Sequence, residues 1–192
     1  MVRTIEIRSF ANFESDSEAS YAGDSRTHPI FQEATIPHAI NPAALAILRG
    51  AESCRLDAYP DPGSGGAPWT IGWGSTGPEI RVGVVWTQAQ ADARLIQDLG
   101  HLARRITLAC GTSSTNDNQF GAMCSLAYNI GIGAFSRSSV LRFHRAGEHH
   151  DAAAAFAAWD KGGGRVLPGL VRRRAAEAAL YLTFVSALGA LT

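Results

Sequence analysis

Eight residues separate Glu52 from Asp61, and a glycine-rich turn then leads into Trp69-Thr70-Ile71-Gly72-Trp73-Gly74-Ser75-Thr76. Two acids and a threonine in a short strand-and-turn segment are the groups that polysaccharide hydrolysis requires. One carboxylic acid protonates the leaving glycosidic oxygen, while one carboxylate activates water or attacks the sugar directly. Glu52, Asp61 and Thr70 are therefore the candidate catalytic residues. Each acid taken alone also has an ordinary reading, Glu52 as a solvated helix end and Asp61 as a turn aspartate.

The two acids are expected in different surroundings. Glu52 falls near the carboxyl end of a predicted helix, where the negative pole of the macrodipole and partial burial would both disfavour its charge, as a general acid working at neutral pH needs. Asp61 falls in a wetter turn rich in proline and glycine, which would keep it ionised. Other motifs carry less chemistry. Gly63-Ser64-Gly65-Gly66 does not open a helix, so it lacks the geometry of a phosphate cradle. Glu148-His149-His150-Asp151 has metal-binding residue types, but adjacent side chains diverge on a helix, and a solvated helix start is the expectation there. No Gly-x-Ser-x-Gly elbow is present, and nothing pairs Cys54 with a particular histidine.

The elements that must hold these residues can be read from spacing. Asn41-Pro42 is an N-cap followed by proline at the first helical position, and the helix it starts ends near Glu52. Leu56 to Tyr59 and Trp69 to Trp73 read as strands, with a third expected over Glu79 to Val85. Thr87 and Gln90 form a capping box, and Leu95, Leu99, Leu102 and Ile106 then share one face of a helix over 88–109. Phe120, Met123, Leu126 and Ile130 mark a second helix after Asn116. Further helices are predicted over 137–146, 151–159 and 169–184, with Gly162-Gly163-Gly164 breaking the chain. A helix, a small antiparallel sheet and then a helical bundle make an α+β fold.

Composition permits this without arguing for it. The chain has 192 residues, 46% of them hydrophobic, and no net charge, enough for one ordinary core. Residues 1–40 carry three arginines against six acids, which leaves 14 basic and 11 acidic residues in the remainder. That stretch reads as a polar, extended or partly disordered arm, and 41–192 as the catalytic domain. Phe10, Phe13, Tyr21 and Phe31 suggest that the arm docks. The body's small positive excess is too weak for nucleic acid. Cys54, Cys110 and Cys124 are an odd count in a chain too large for a disulfide scaffold, so reduced and mostly buried thiols are expected. No stretch is long and apolar enough to span a membrane, and the amino terminus lacks a basic start followed by an apolar run. Synthesis in the cytoplasm as a soluble protein is the expectation.

From Leu48 onward the sequence resembles the phage endolysins of the T-even lysozyme type, glycoside hydrolase family 24. Glu52, Asp61 and Thr70 fall on that family's acid, acid and threonine. The likeness continues through Tyr128-Asn129-Ile130-Gly131-Ile132-Gly133-Ala134-Phe135, Ser138, Leu141, Trp159, Gly163 to Leu170, Arg173-Arg174 and Glu177, and covers about residues 41–183. The resemblance implies a lysozyme-like fold with the active-site cleft between a small sheet lobe and a larger helical lobe. It implies a muramidase that hydrolyses the β-1,4 bond between N-acetylmuramic acid and N-acetylglucosamine in bacterial peptidoglycan during host lysis. Glu52 would be the general acid, Asp61 would act on water or on the developing positive charge, and Thr70 would position the water. Tyr128, Asn129 and Ser138 would line the cleft. The expectation is a monomer that needs no cofactor and no metal and binds peptidoglycan, not nucleic acid.

Two departures from the family stand out. The eight residues between Asp61 and Thr70 make a longer turn than in the T-even enzyme, and Ser75 replaces a structural histidine, which puts local stability in question. Two rivals remain: a lytic transglycosylase using Glu52 alone, and a non-catalytic wall-binding or virion protein on the same scaffold.

Overall fold

The computed structural model describes residues 38–61 and 65–183, so the expected arm lies outside the described residues except for 38–40. Those three already belong to the body. His38 Nδ1 is 2.9 Å from Asp117 Oδ1, its ring sits 5.2 Å from that of Phe120, and Ile40 packs on the core.

Helix α1, Pro42–Ala51, starts as its sequence dictates, with Asn41 Oδ1 accepting from the Ala44 N–H at 2.9 Å. It crosses helix α3, Asp117–Ile130, at very short range. A β-carbon on Gly121 would lie 2.7 Å from Ala44 Cβ, so only glycine permits the approach. This contact seats the first turn of α1 against α3.

Strands β1, Arg55–Pro60, β2, Trp69–Gly72, and β3, Ser75–Thr76, form an antiparallel sheet in that order. The third strand is not the expected one. The segment near Val85 makes only an isolated bridge to Asp57, with the Ala58 and Trp86 N–H groups reaching Val84 and Leu56 carbonyls. The Trp73-Gly74 turn folds the chain back sooner, because Gly72 and Gly74 adopt φ of +64° and +106° that other residues resist.

Helix α2, Gln88–Cys110, opens on the predicted Thr87/Gln90 capping box and buries Leu95, Leu99, Leu102 and Ile106. Helix α3 is buried continuously from Gln119 to Tyr128 rather than along one stripe, as befits a helix enclosed by the others. Phe120, Met123 and Leu126 are fully buried, each contributing about 1.5–3 kcal/mol. The helix expected over 137–146 is α5, Ser139–Arg145, and a short helix not expected from the sequence, α4, Ile132–Ser136, precedes it. They divide at Ser138, whose Oγ caps α5 by accepting from the Leu141 N–H. Helix α6, His149–Ala155, tightens to 3-10 geometry over Phe156–Trp159.

The triple glycine is more than a break. Strands β4, Lys161–Gly162, and β5, Arg165–Val166, pair across Gly163 and Gly164, at φ of +55° and +78°, the signs that a two-residue hairpin turn favours. Helix α7, Pro168–Leu182, then closes the bundle against α3 and α1. The α+β architecture is as expected, and among the described residues no helix is long and apolar enough to cross a membrane.

Candidate active site

Glu52 is the residue at which α1 stops: its backbone turns extended, and its N–H still bonds the Leu48 carbonyl at 3.0 Å. The side chain turns inward, with 5% exposure. It meets Arg173 of α7, whose Nη1 donates to Glu52 Oε1 at 2.6 Å. The expected influences of burial and helix end are therefore joined by a guanidinium that spacing alone did not reveal. Despite this burial the pair is accessible from one side. It forms part of the wall of a pocket of about 250 Å³ between α1 and α7, with Ile47, Leu170 and Asn129.

The arginine is itself held on three sides. Its Nε donates to Glu177 Oε1 at 3.1 Å and its Nη2 to the Ser125 carbonyl at 3.0 Å. Glu177, fully buried, also accepts from Ser125 Oγ at 2.6 Å. Its other oxygen lies 3.1 Å from Arg174 Nε, close enough for an ion pair but misaligned for a hydrogen bond. Arg174 donates onward to Asn129 Oδ1 at 3.0 Å. Burial pushes the Glu177 carboxyl up and the Arg174 guanidinium down to about 10, and the attraction between them opposes both. The geometry favours charged groups. Both Glu177 oxygens face N–H or O–H donors, so a carboxyl proton would have no acceptor. The Glu177 anion is then matched by the guanidiniums of Arg173 and Arg174.

The sheet supplies the other two catalytic candidates. Asp61 follows β1 directly, its N–H bonding the carbonyls of Gly66 and Pro68 at 3.0 and 3.2 Å while its own carbonyl accepts from Gly65 at 2.8 Å. The long turn is thus pinned at its base by the backbone of Asp61. Thr70, 7% exposed, sits in the central strand opposite Tyr59 and Thr76.

Of the residues expected to line the cleft, two join this neighbourhood. Tyr128 donates its hydroxyl to the Trp73 carbonyl at 3.0 Å, tying α3 to the β2–β3 turn. Burial first, and then the negative charges of Asp98 and Glu52, push its pKa up, so it stays a neutral donor. Asn129 shares the pocket with Glu52. Ser138 does not join them: its hydroxyl caps α5 and it is 5% exposed. Ser75 answers the question raised by the missing histidine. Its Oγ donates to Asp98 Oδ2 at 2.8 Å, and Arg94 Nε donates to the other oxygen at 2.8 Å, so β3 is anchored to α2 without an imidazole.

Arg173, Arg174 and Glu177 entered the sequence reading only as matches to the family, and their network with Ser125 was not foreseen. A signal existed. On α7 the buried positions Leu170, Arg173, Arg174, Glu177 and Tyr181 recur at helical spacing, but a charged stripe reads as a solvated face. His149, expected in a solvated helix start, is instead partly buried and lies 3.3 Å from both the Tyr181 hydroxyl and the Gln119 amide nitrogen.

Residues 49–177 match the phage lysozyme family model. The endolysin of Acyrthosiphon pisum secondary endosymbiont phage 1 is 36% identical over 146 residues, covering 74% of this chain and 97% of that protein. The endolysin of Bacillus phage PZA is 38% identical over 146 residues, but there the match covers 74% of this chain and only 54% of the relative. This chain thus spans about half the length of one relative and nearly all of another. Among solved structures, the muramidase domain of SpmX from Asticaccaulis excentricus superposes with a TM-score of 0.68 at 35% identity, covering 76% of this chain and 99% of that one.

Proposed function

The chain belongs to the phage lysozyme family, and from that premise we propose that it is an endolysin that cleaves the β-1,4 bond between N-acetylmuramic acid and N-acetylglucosamine in peptidoglycan. The observation that carries the reading is Glu52, an almost buried carboxyl that still borders a pocket and is held by Arg173 at 2.6 Å. A general acid has to be fixed within hydrogen-bond reach of the leaving oxygen, in surroundings that resist its charge. With Oε1 engaged by the guanidinium, Oε2 carries the transferable proton. Asp61, at the exit of β1, stabilises the oxocarbenium-like charge and orients water, and the Thr70 hydroxyl on the neighbouring strand holds that water. The leaving sugar takes the Glu52 proton as the glycosidic bond breaks. Water adds to the anomeric carbon from the opposite face and loses its proton to Asp61, inverting the centre.

Asn129 and Tyr128 border the sugar on the helical side. Their hydrogen bonds to Arg174 and to the Trp73 carbonyl hold these side chains still, which lowers the entropy lost on binding. The protein works as a monomer made in the host cytoplasm, reaches the wall after release, and uses no metal or cofactor.

The reading is tested with a cell-wall suspension. Glu52→Gln is expected to lose turbidity clearing while retaining wall binding, and clearing at the wild-type rate would overturn it. Mass spectrometry of the released muropeptides checks the chemistry, since hydrolysis adds one water and transglycosylation yields anhydro products.

A further inference from the structure

Among the described residues Arg173 links Glu52 to a second buried acid, and its three nitrogens serve different partners. Nη1 serves Glu52, Nη2 serves the Ser125 backbone, and Nε serves Glu177. The last contact sets the plane of the guanidinium, because Nε lies in that plane and points away from Nη1. Glu177 is in turn immobile: fully buried, it accepts from Ser125 Oγ at 2.6 Å and from Arg173 on the same oxygen, while Arg174 stands against the other. Two of these contacts come from α7 itself at i−4 and i−3, and the third reaches across to α3. A solvent-exposed acid could make the same pairs for little net effect. Buried, each charge is costly unless matched.

We propose that Glu177 is a positioning residue for hydrolysis, which acts through Arg173 to fix the orientation of the Glu52 carboxyl. This inference rests on the assignment of Glu52 as general acid. Glu177 does not itself line the pocket that Glu52 and Arg173 border, so its influence runs through the guanidinium. One consequence separates this role from packing. Without the Nε anchor, Arg173 can swing, and Glu52 loses the geometry that proton delivery demands.

The test is Glu177→Gln, which keeps the shape and removes the charge, assayed on purified wall beside wild type, Ser125→Ala and Glu52→Gln. Folding is checked by circular dichroism. The expected result is a kcat lower by about tenfold with KM within about twofold. An unchanged kcat in folded Glu177→Gln would overturn the inference. If that variant does not fold, Ser125→Ala decides: it removes one donor to Glu177 and should lower kcat about threefold with KM unmoved, whereas wild-type kinetics overturn the inference. Glu52→Gln separates the two ideas. If it is inactive while the Glu177 and Ser125 variants are normal, only the positioning role fails; if it clears normally, the general-acid assignment fails with it.

Discussion

Helix α7 carries two buried polar clusters one turn apart, and they are built on opposite principles. Around Glu177 the groups are carboxyls and guanidiniums: Glu52, Glu177, Arg173 and Arg174 share one enclosed volume with Ser125 and Asn129. Around Tyr181 they are neutral. The Tyr181 hydroxyl is 2.7 Å from His144 Nδ1, His144 Nε2 is 2.8 Å from Thr115 Oγ1, and Thr115 donates to the Ser113 carbonyl at 3.0 Å. One consistent set of protons satisfies that chain, with the tyrosine donating to Nδ1 and Nε2–H donating to the threonine. A neutral cluster of this kind stabilises the fold by joining α5 and α7 to the start of α3. The charged cluster carries a desolvation cost that well-packed apolar groups would avoid, and its presence beside a pocket is explained by Glu52.

The comparison predicts first that activity depends on one cluster and not the other. Glu52→Gln should lower the wall-clearing rate by about 10²–10⁴-fold, the usual contribution of a positioned general acid. His144→Gln, assayed at pH 7.5 and confirmed folded, should clear at close to the wild-type rate. Equal losses in the two variants would break the division of labour.

Stability should divide the same way. Arg173→Met leaves Glu52 and Glu177 buried with a single guanidinium between them, and removing one member of a buried charged set costs about 3–5 kcal/mol. Urea unfolding at pH 7 measures this, and a cost below about 1 kcal/mol would mean that water reaches the acids when the arginine is gone.

The neutral cluster has a pH signature of its own. Burial first, and the neighbouring His149 second, hold the His144 pKa down at about 4, against 6.5 when unfolded. Above pH 6.5 the imidazole is neutral in both states and its contribution is complete. As pH falls below 6.5 the unfolded chain takes up the proton first, so stability is lost progressively until the folded protein also protonates near pH 4, a total of about 3 kcal/mol. Carboxylates add their own slope, so the difference between wild type and His144→Gln isolates the histidine. Identical slopes in the two proteins would show that His144 charges without resistance.

How much of this could be read beforehand follows from what a side chain reveals locally. The N-cap of α1, the capping box of α2 and the acid, acid, threonine order depend on residues close in sequence, and all were legible. The second cap was harder to see: Ser138 stands inside a stretch of helical composition, and only its bond to the Leu141 N–H separates α4 from α5. The third strand failed for a similar reason, since Gly72 and Gly74 decide where the chain reverses while Glu79 to Val85 merely looked strand-like. The arginine that grips Glu52 lies 121 positions along the chain, and nothing local identifies a buried pair of that separation. Leu170 and Tyr181 do mark the inward side of α7, and charges at the intervening helical positions are the clue that the side is both buried and polar.

The smallest effect belongs to a contact that lies between the two clusters in kind. Ser75 is buried and neutral, but its partner Asp98 is charged and 27% exposed, and Arg94 already grips the other carboxylate oxygen. If burial is what makes the Glu52–Glu177 cluster costly to disturb, Ser75→Ala should be mild, because water can replace the lost hydroxyl at Asp98. A loss of about 1.5 kcal/mol in thermal or urea unfolding is expected, the low end for a hydrogen bond to a charged group. Activity should persist, since β3 remains tied to α2 through the Arg94 bond to the Thr76 carbonyl at 3.0 Å. A loss as large as that of Arg173→Met would shift the explanation from burial to charge itself, and the contrast along α7 would then have to be redrawn on that basis.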